Sequence, residues 1–84
     1  MSAVTQARKA RAAMNARKSL YAIRIYPQIG SYEWRLYTAD LRILLAAGVH
    51  LTRHAAEKDA ENALRVRVEY PEDYAHEIHE KAAA

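Results

Sequence analysis

The stretch that decides the fold is residues 20–51, LYAIRIYPQIGSYEWRLYTADLRILLAAGVHL. Apolar and polar residues alternate in three runs, at residues 20–26, 32–38 and 42–51. Alternation with a period of two is typical of a half-buried β-strand, because successive side chains of a strand point to opposite faces. Three short strands with short connections predict an antiparallel meander.

The alternation also assigns each side chain to a face of the sheet. The predicted helix-facing residues are Tyr21, Ile23 and Ile25 in the first strand, Tyr32, Trp34 and Leu36 in the second, and Ile43, Leu45, Ala47, Val49 and Leu51 in the third. The predicted turns are residues 27–31, where Gly30 can adopt positive φ, and residues 39–41, where Asp40 can bond to nearby backbone. Gly48 indicates a bulge or the close approach of another element.

A helix that packs on the sheet is predicted at residues 52–70. Thr52 is a suitable N-cap, and a face of mainly small residues follows at helical spacing: Ala56, Ala60, Ala63, Leu64 and Val68. Residues 64–70, LRVRVEY, also alternate strictly and fit a fourth strand. We favour a helix to about Val68, because no turn residues separate Asn62 from Leu64.

Both ends of the chain predict further helices. Residues 1–19 are rich in Ala, Arg and Lys without Gly or Pro, but the apolar stripe is mostly Ala, so this basic helix is expected to add little to the core. Pro71 suits the first turn of a short helix in residues 71–84 that frays from residue 81. The predicted fold is α+β, one domain over residues 1–84. It is a three-stranded antiparallel meander with a helix packed on one face, flanked by the basic N-terminal helix and the short C-terminal helix.

Charge is distributed unevenly along the chain. Residues 1–32 contain six Lys or Arg and no acid, whereas residues 33–84 contain seven basic and ten acidic residues. The net charge of +3 therefore combines a local +6 with a local −3. Such a polarised field can steer a polyanion or an acidic protein surface towards the basic part of the chain.

The sequence lacks the residue patterns that nucleophilic catalysis and metal binding require. The chain has no cysteine and only two glycines, and its Ser and Thr residues have no glycine-framed elbow, so no catalytic residue is predicted. His76 and His79 are three residues apart but lack a third and fourth ligand, so neither a metal nor another cofactor is expected. The missing cysteines and the absence of an apolar run of about 18 residues favour a cytoplasmic, non-membrane protein.

The predicted partner-binding residues are basic or aromatic. They are Arg8, Lys9, Arg11, Arg17 and Lys18 in the basic helix, and Arg24, Tyr26, Arg35, Tyr37 and Arg42 on the sheet face turned away from the packed helix. Glu33, Leu44 and His50 are predicted on that same face. Arg and Tyr are enriched at interface hot spots, and cations interleaved with aromatics also line single-stranded nucleic acid grooves. An ordinary solvated sheet face fits this composition equally well.

Residues 30–64 resemble a known pattern. GSYEWRLY at residues 30–37, RILLAAG at residues 42–48 and TRHAAEKDAENAL at residues 52–64 look like the β-β-β-α units of the UPF0339 (DUF1508) family, and small phage anti-CRISPR proteins are similar in size and plan. Residues 40–42 depart from the usual glycine-containing turn of that family. The resemblance implies a phage or mobile-element protein that occludes a host target.

Three functions follow from these features. The first is a non-catalytic inhibitor or adaptor that binds a host protein or nucleoprotein complex. The second is a small DNA- or RNA-binding module that places the same basic residues on phosphates. The third is a subunit of a homo-oligomer.

Overall fold

A computed structural model describes residues 3–83, with side chains from residue 6 onward. The elements are helix α1 (Ala3–Lys18), strands β1 (Tyr21–Gln28), β2 (Ser31–Thr38) and β3 (Leu44–His50), helix α2 (Arg53–Glu69), a 3₁₀ turn (Pro71–Tyr74) and helix α3 (Glu77–Ala83). The strands form one antiparallel sheet in the order β1-β2-β3. We call the sheet face that packs against α2 the inner face and the other the outer face. The α+β class is confirmed.

The core lies between the inner face and α2. Trp34 and Leu36 of β2 are buried against Ala56 and Ala60 of α2. Partly buried residues surround this centre, namely Tyr21, Ile23, Ile25, Tyr32, Ala46, Ala63 and Leu64. The predicted faces of β1 and β2 are therefore confirmed, and the alanines let α2 approach the sheet closely because their side chains occupy so little space.

Helix α2 continues where the sequence allowed a fourth strand. Thr52 caps its start, since Thr52 Oγ1 accepts a hydrogen bond from Ala55 N at 3.1 Å. Leu64 and Val68 then face inward four residues apart, while Arg65 Nη1 donates to Glu69 Oε2 at 2.9 Å on the exposed side. The alternating residues 64–69 are thus part of helix α2, and the prediction of a fourth strand is wrong.

Strand β3 corrects the predicted face assignment. Trp34 pairs with Gly48 and Leu36 with Ala46, but the next residue of β2 pairs with Leu44, so Leu45 is the extra residue of a β-bulge. Leu45 is buried as predicted. Beyond the bulge the alternation is reversed, and the prediction that Ala47, Val49 and Leu51 face the helix is wrong: all three are exposed.

Gly48 allows the indole of Trp34 to pack closely against β3. A Cβ atom at this position would lie 2.8 Å from Trp34 Cε2, closer than van der Waals contact allows. The predicted close approach of another element is confirmed, and that element is the tryptophan side chain on the neighbouring strand.

The β2–β3 connection is built around Asp40. Its Oδ1 accepts hydrogen bonds from Thr38 Oγ1 at 2.6 Å and from Arg42 N at 3.1 Å. These two bonds lower the pKa of the Asp40 carboxyl below its usual value. Leu41 has a φ of 64°, so a leucine occupies the left-handed conformation that a turn usually gives to glycine.

Replacing Leu41 by Gly is expected to raise the free energy of unfolding by about 1 kcal/mol, because glycine lacks the Cβ that makes this conformation unfavourable. Chemical denaturation of the two proteins measures the difference. The matched control is Ala39→Gly, which is expected to destabilise, since Ala39 does not have positive φ. A destabilised Leu41→Gly variant would show that the packing of the leucine outweighs the strain.

A buried ion pair holds the C-terminal segment against α2. Arg67 Nε and Nη2 donate to the two carboxylate oxygens of Glu77 at 2.8 and 2.6 Å, and Arg67 Nη1 donates to Ala63 O at 2.8 Å. The guanidinium also lies 4.5 Å from the centroid of the Tyr74 ring. Burial lowers the pKa of Arg67. The hydrogen bond to Glu77 and the negative charge of Glu77 raise it by more, so the net shift of the pKa is upward.

The C-terminal helix differs from the predicted one. Pro71 ends α2, because it has no amide hydrogen to continue that helix, and it opens a 3₁₀ turn. The predicted helix from residue 71 is wrong in its start, since α3 begins only at Glu77. Residues 81–83 are helical instead of frayed. Residues 1–2 and 84, the ends of the two predicted terminal segments, lie outside the described residues.

Helix α1 packs weakly. Residues 6–13 are exposed on all sides of the helix, and only Met14 and Arg17 are partly buried among its described side chains. Arg17 Nε donates to Val68 O at 2.8 Å, which fixes the end of α1 to α2. The small contribution of α1 to the core agrees with its alanine-rich stripe. Within residues 3–83, none of the helices combines the length and apolar content needed to cross a bilayer.

Candidate binding surfaces

The outer face carries a cluster of charged and aromatic side chains on β1 and β2. We define this cationic–aromatic cluster as Arg24, Tyr26, Glu33, Arg35 and Tyr37. Arg24 pairs with Arg35 and Tyr26 with Glu33 across the two strands, so these side chains are direct neighbours. The sheet alternation predicted this grouping, and the register confirms it.

Arg35 is the centre of the cluster. Its Nη1 donates to Tyr37 Oη at 3.2 Å, and its Nη2 lies 2.7 Å from Glu33 Oε1. That carboxylate oxygen has no well-aligned donor, so the contact is an ion pair and not a good hydrogen bond. The guanidinium also stacks 4.8 Å from the centroid of the Tyr26 ring. The contacts with Tyr37, Glu33 and Tyr26 therefore fix the orientation of the Arg35 guanidinium.

The phenols titrate differently because of their positions. The hydrogen bond from Arg35, followed by the influence of the Tyr26 hydroxyl, lowers the pKa of Tyr37, while the neighbouring Tyr37 hydroxyl raises the pKa of Tyr26. The bond to Tyr37 in turn raises the pKa of Arg35. The cluster is thus a connected polar network in which the arginine stays cationic.

The positive charge of the cluster is only partly neutralised. Two guanidinium groups, from Arg24 and Arg35, share a face with the single carboxylate of Glu33. Like charges directly opposite each other on neighbouring strands repel. An anionic group of a partner, placed over Arg24, would relieve that repulsion.

Exposed aliphatic side chains lie beyond the cluster. We define this aliphatic strip as Leu44 and Val49, on the outer face of β3, together with two exposed residues outside the strands, Leu51 after β3 and Ile29 in the β1–β2 turn. Their exposed fractions are 44, 57, 83 and 106%. Sequence reasoning missed the strip because it placed Val49 and Leu51 inside. Two adjacent leucines, Leu44 and Leu45, were the available sign that the alternation of β3 is interrupted.

His50 lies on the inner face, so its predicted outer-face position is wrong. It pairs with Tyr32, and its Nε2 lies 2.8 Å from Asp59 Oδ2 of α2. The same carboxylate oxygen accepts a hydrogen bond from Trp34 Nε1 at 3.0 Å. Asp59 of α2 is therefore connected to β2 through Trp34 and to β3 through His50.

The other predicted residues lie outside the sheet. Arg8, Lys9, Arg11 and Lys18 are exposed on α1, while Arg17 is engaged with the backbone of α2. Arg42 is in the loop before β3, with Nε 3.8 Å from Asp40 Oδ2. The ten predicted residues thus divide between α1, the outer face and this loop. Because α1 packs on α2 and α2 covers the inner face, α1 and the outer face form separate surfaces.

A shallow groove of about 440 Å³ separates α1 from α2. Met14, Leu64 and Val68 give it an apolar lining, and Lys18 and Glu69 add charges of both signs. Among the residues that the structure describes, no group of three or more His, Asp or Glu side chains is arranged to hold a metal ion. Nine of the ten predicted binding residues lie on α1 or on the outer face, and Arg42 lies in the loop before β3.

Comparison with known proteins finds no matching family model, no significantly similar curated protein and no significantly similar solved structure.

Proposed function

We propose that this protein is a small non-catalytic binding module, an inhibitor or adaptor that docks a protein partner on the outer face of its sheet. The observation that carries the proposal is the exposed aliphatic strip beside the cationic–aromatic cluster. Leu44 and Val49 share the outer face with the cluster, where they pair with Tyr37 and Glu33, so a single partner can contact both parts.

The composition of the outer face favours a protein over a nucleic acid. Burying exposed side chains such as Val49 and Ile29 stabilises a complex by about 25 cal/mol per Å² of apolar surface, and a phosphate backbone offers no apolar surface for it. Arg and Tyr are common hot-spot residues at protein interfaces. Glu33 in the middle of the cluster would also repel phosphates.

The class of partner is proposed from the resemblance of residues 30–64 to small phage proteins. A host protein or nucleoprotein complex, bound and occluded in the manner of an anti-CRISPR protein, fits a flat docking face without a deep cleft. The setting would then be the cytoplasm of the host cell, and no cofactor is required.

A second function is supported by a different observation. Among the described side chains of α1, Arg8, Lys9 and Arg11 are exposed in a stretch of sequence that contains no acidic residue. Such a helix can contact DNA or RNA phosphates, with an affinity that falls steeply as salt rises. Because this surface is separate from the outer face, the two functions can be tested by separate variants.

The test compares two variants as baits in the native host lysate, with and without nuclease. The outer-face variant carries Arg24→Glu and Ile29→Asp, which alter exposed side chains and leave the core intact. Its affinity for the captured partner should fall by about 2 kcal/mol or more, roughly 30-fold, because hot-spot residues contribute at this level. Capture by the unaltered protein should survive nuclease.

The matched control is an α1 variant in which Arg8, Lys9, Arg11 and Lys18 become Gln; Arg17 is retained because it anchors the helix. It should keep the partner within a few-fold, with weaker salt dependence. If nuclease or the α1 variant abolishes capture while the outer-face variant retains it, the nucleic acid function replaces the protein-docking one.

A further inference from the structure

The register of the strands arranges the outer face in three rows, each of which runs across β1, β2 and β3. The rows are Ala22, Tyr37 and Leu44; Arg24, Arg35 and Ala47; and Tyr26, Glu33 and Val49. The middle row therefore begins with two guanidinium groups and ends at the small side chain of an alanine. On β3 this alanine lies between two aliphatic residues of the outer face.

Arg24 has no partner of opposite charge among residues 6–83. Its one hydrogen bond is long, 3.4 Å from Nη1 to Ile23 O, and its side chain is exposed. The carboxylate of Glu33 is already engaged with Arg35, at 2.7 Å. Two arginines and one glutamate leave the cationic–aromatic cluster with a formal charge of +1, since 2 − 1 = 1.

This charge favours a carboxylate over a phosphate as the complementary anion. A carboxylate carries one negative charge and neutralises the cluster, whereas a phosphate monoester carries about −1.5 to −2 and would place its excess charge beside Glu33. Arg35 is already oriented by its contacts with Tyr26 and Tyr37, so binding an anion there orders fewer side chains.

The other end of the middle row suits an apolar side chain. Leu44 and Val49 are 44 and 57% exposed, and the short side chain of Ala47 leaves room between them. Neighbouring strands lie about 4.8 Å apart, so this position on β3 is about 10 Å from Arg24 on β1. An apolar group bound there would exclude water from the face, which strengthens an ion pair beside it.

We propose that the protein partner presents a carboxylate side chain to Arg24 and Arg35 and, about 10 Å away, an apolar side chain to Ala47 between Leu44 and Val49. The proposal rests on the docking function proposed above and specifies the chemistry of the partner. One carboxylate over the two guanidinium groups also offsets the repulsion between them.

Two helical peptides that differ in one residue test the carboxylate. Each is alanine-rich, about 20 residues long, and has a leucine seven positions after the variable residue, which sets the two side chains about 10.5 Å apart on one face of the helix. The variable residue is glutamate in one peptide and glutamine in the other. The full chain should bind the glutamate peptide at least about 3-fold more tightly, because charge-assisted hydrogen bonds are stronger than neutral ones. Shifts of the Arg24 and Arg35 Nε–H NMR signals measure both dissociation constants.

Two variants at exposed positions locate the preference. Arg24→Gln removes the unpaired cation and should reduce the preference for glutamate to less than about 1.5-fold. The matched control is Lys58→Gln, which removes the same charge from the exposed side of α2 and should leave the preference unchanged. A preference below about 3-fold in the unaltered protein, or one that survives Arg24→Gln, would overturn the proposal.

A third peptide, with phosphoserine at the variable position, tests the class of anion. It should bind no more tightly than the glutamate peptide, because its additional negative charge lies beside Glu33. Tighter binding of the phosphoserine peptide would show that the outer face recognises phosphate, and the proposed carboxylate would then be wrong.

Docking and carboxylate recognition fail in different ways. If the outer-face variant with Arg24→Glu and Ile29→Asp loses the lysate partner while the glutamate and glutamine peptides bind equally, the docking function stands and the carboxylate is wrong. A partner that the outer-face variant retains would overturn the docking function, and with it the claim that the partner supplies this carboxylate.

Discussion

Replacing Trp34 by Ala should lower the free energy of unfolding by about 3–5 kcal/mol, the usual range for removing a large aromatic side chain from a core. Trp34 is only 5% exposed, packs against Gly48, and donates its indole N–H to Asp59. Losing a few kcal/mol is a large fraction of the stability of a small domain. Equilibrium denaturation in urea measures the loss, and a variant that melts within two degrees of the parent protein (on the order of 0.5 kcal/mol) would contradict the packing.

A double-mutant cycle separates the contact with Gly48 from the general loss of burial. Gly48→Ala should destabilise strongly by itself, since the new Cβ would overlap the Trp34 indole. In the Trp34→Ala background, Gly48→Ala should lower the free energy of unfolding much less, because the indole that the new Cβ would overlap is absent. Gly30→Ala is the control: nothing lies within 4 Å of the position that its Cβ would occupy, so only the positive φ of 77° contributes, at about 1 kcal/mol.

Removing the guanidinium of Arg67 is expected to have a comparable effect. Arg67→Met leaves the Glu77 carboxylate largely buried without its partner, and breaking one side of a buried ion pair costs about 3–5 kcal/mol. The segment from the 3₁₀ turn to α3 should also lose its attachment to α2. Hydrogen exchange followed by NMR should therefore show faster amide exchange throughout residues 72–83, beyond the change in global stability.

Two further variants make the Arg67 prediction specific. Arg65→Met, two residues earlier on the exposed side of α2, removes an ion pair with Glu69 and should cost under about 1 kcal/mol. Arg67→Met combined with Glu77→Leu should recover part of the loss, because no buried charge remains unpaired. Equal losses in Arg65→Met and Arg67→Met would mean that burial of the Arg67–Glu77 pair contributes nothing.

The sequence predicted the parts of the fold that depend on local pattern. Alternation located β1 and β2 and placed Trp34 and Leu36 inside, and a capping threonine marked the start of α2. The bulge at Leu45 was not predictable from alternation, because an inserted residue reverses the phase of everything after it. Because of this one reversal, Val49 was predicted on the inner face but lies on the outer face. His50 was predicted on the outer face but lies on the inner face.

The candidate site was predictable to a similar degree. The grouping of Arg24, Arg35 and Tyr37 follows from alternation in strands whose phase is undisturbed. The Arg67–Glu77 pair joins residues ten apart across a 3₁₀ turn, and no periodicity in the sequence indicates where such a turn places the chain. The anchoring role of Arg17 was equally hidden, since an arginine in a basic helix looks the same whether it faces solvent or a carbonyl oxygen.

The length of α1 has an electrostatic consequence. A helix of 16 residues is about 24 Å long, and the side chains of residues 6–13 are exposed. At physiological ionic strength charges are screened over about 8 Å, so the potential at one end of such a helix depends little on charges near its other end. A net charge averaged over the whole molecule therefore describes neither end. An approaching polyanion would meet a local potential set mainly by Arg8 and Arg11.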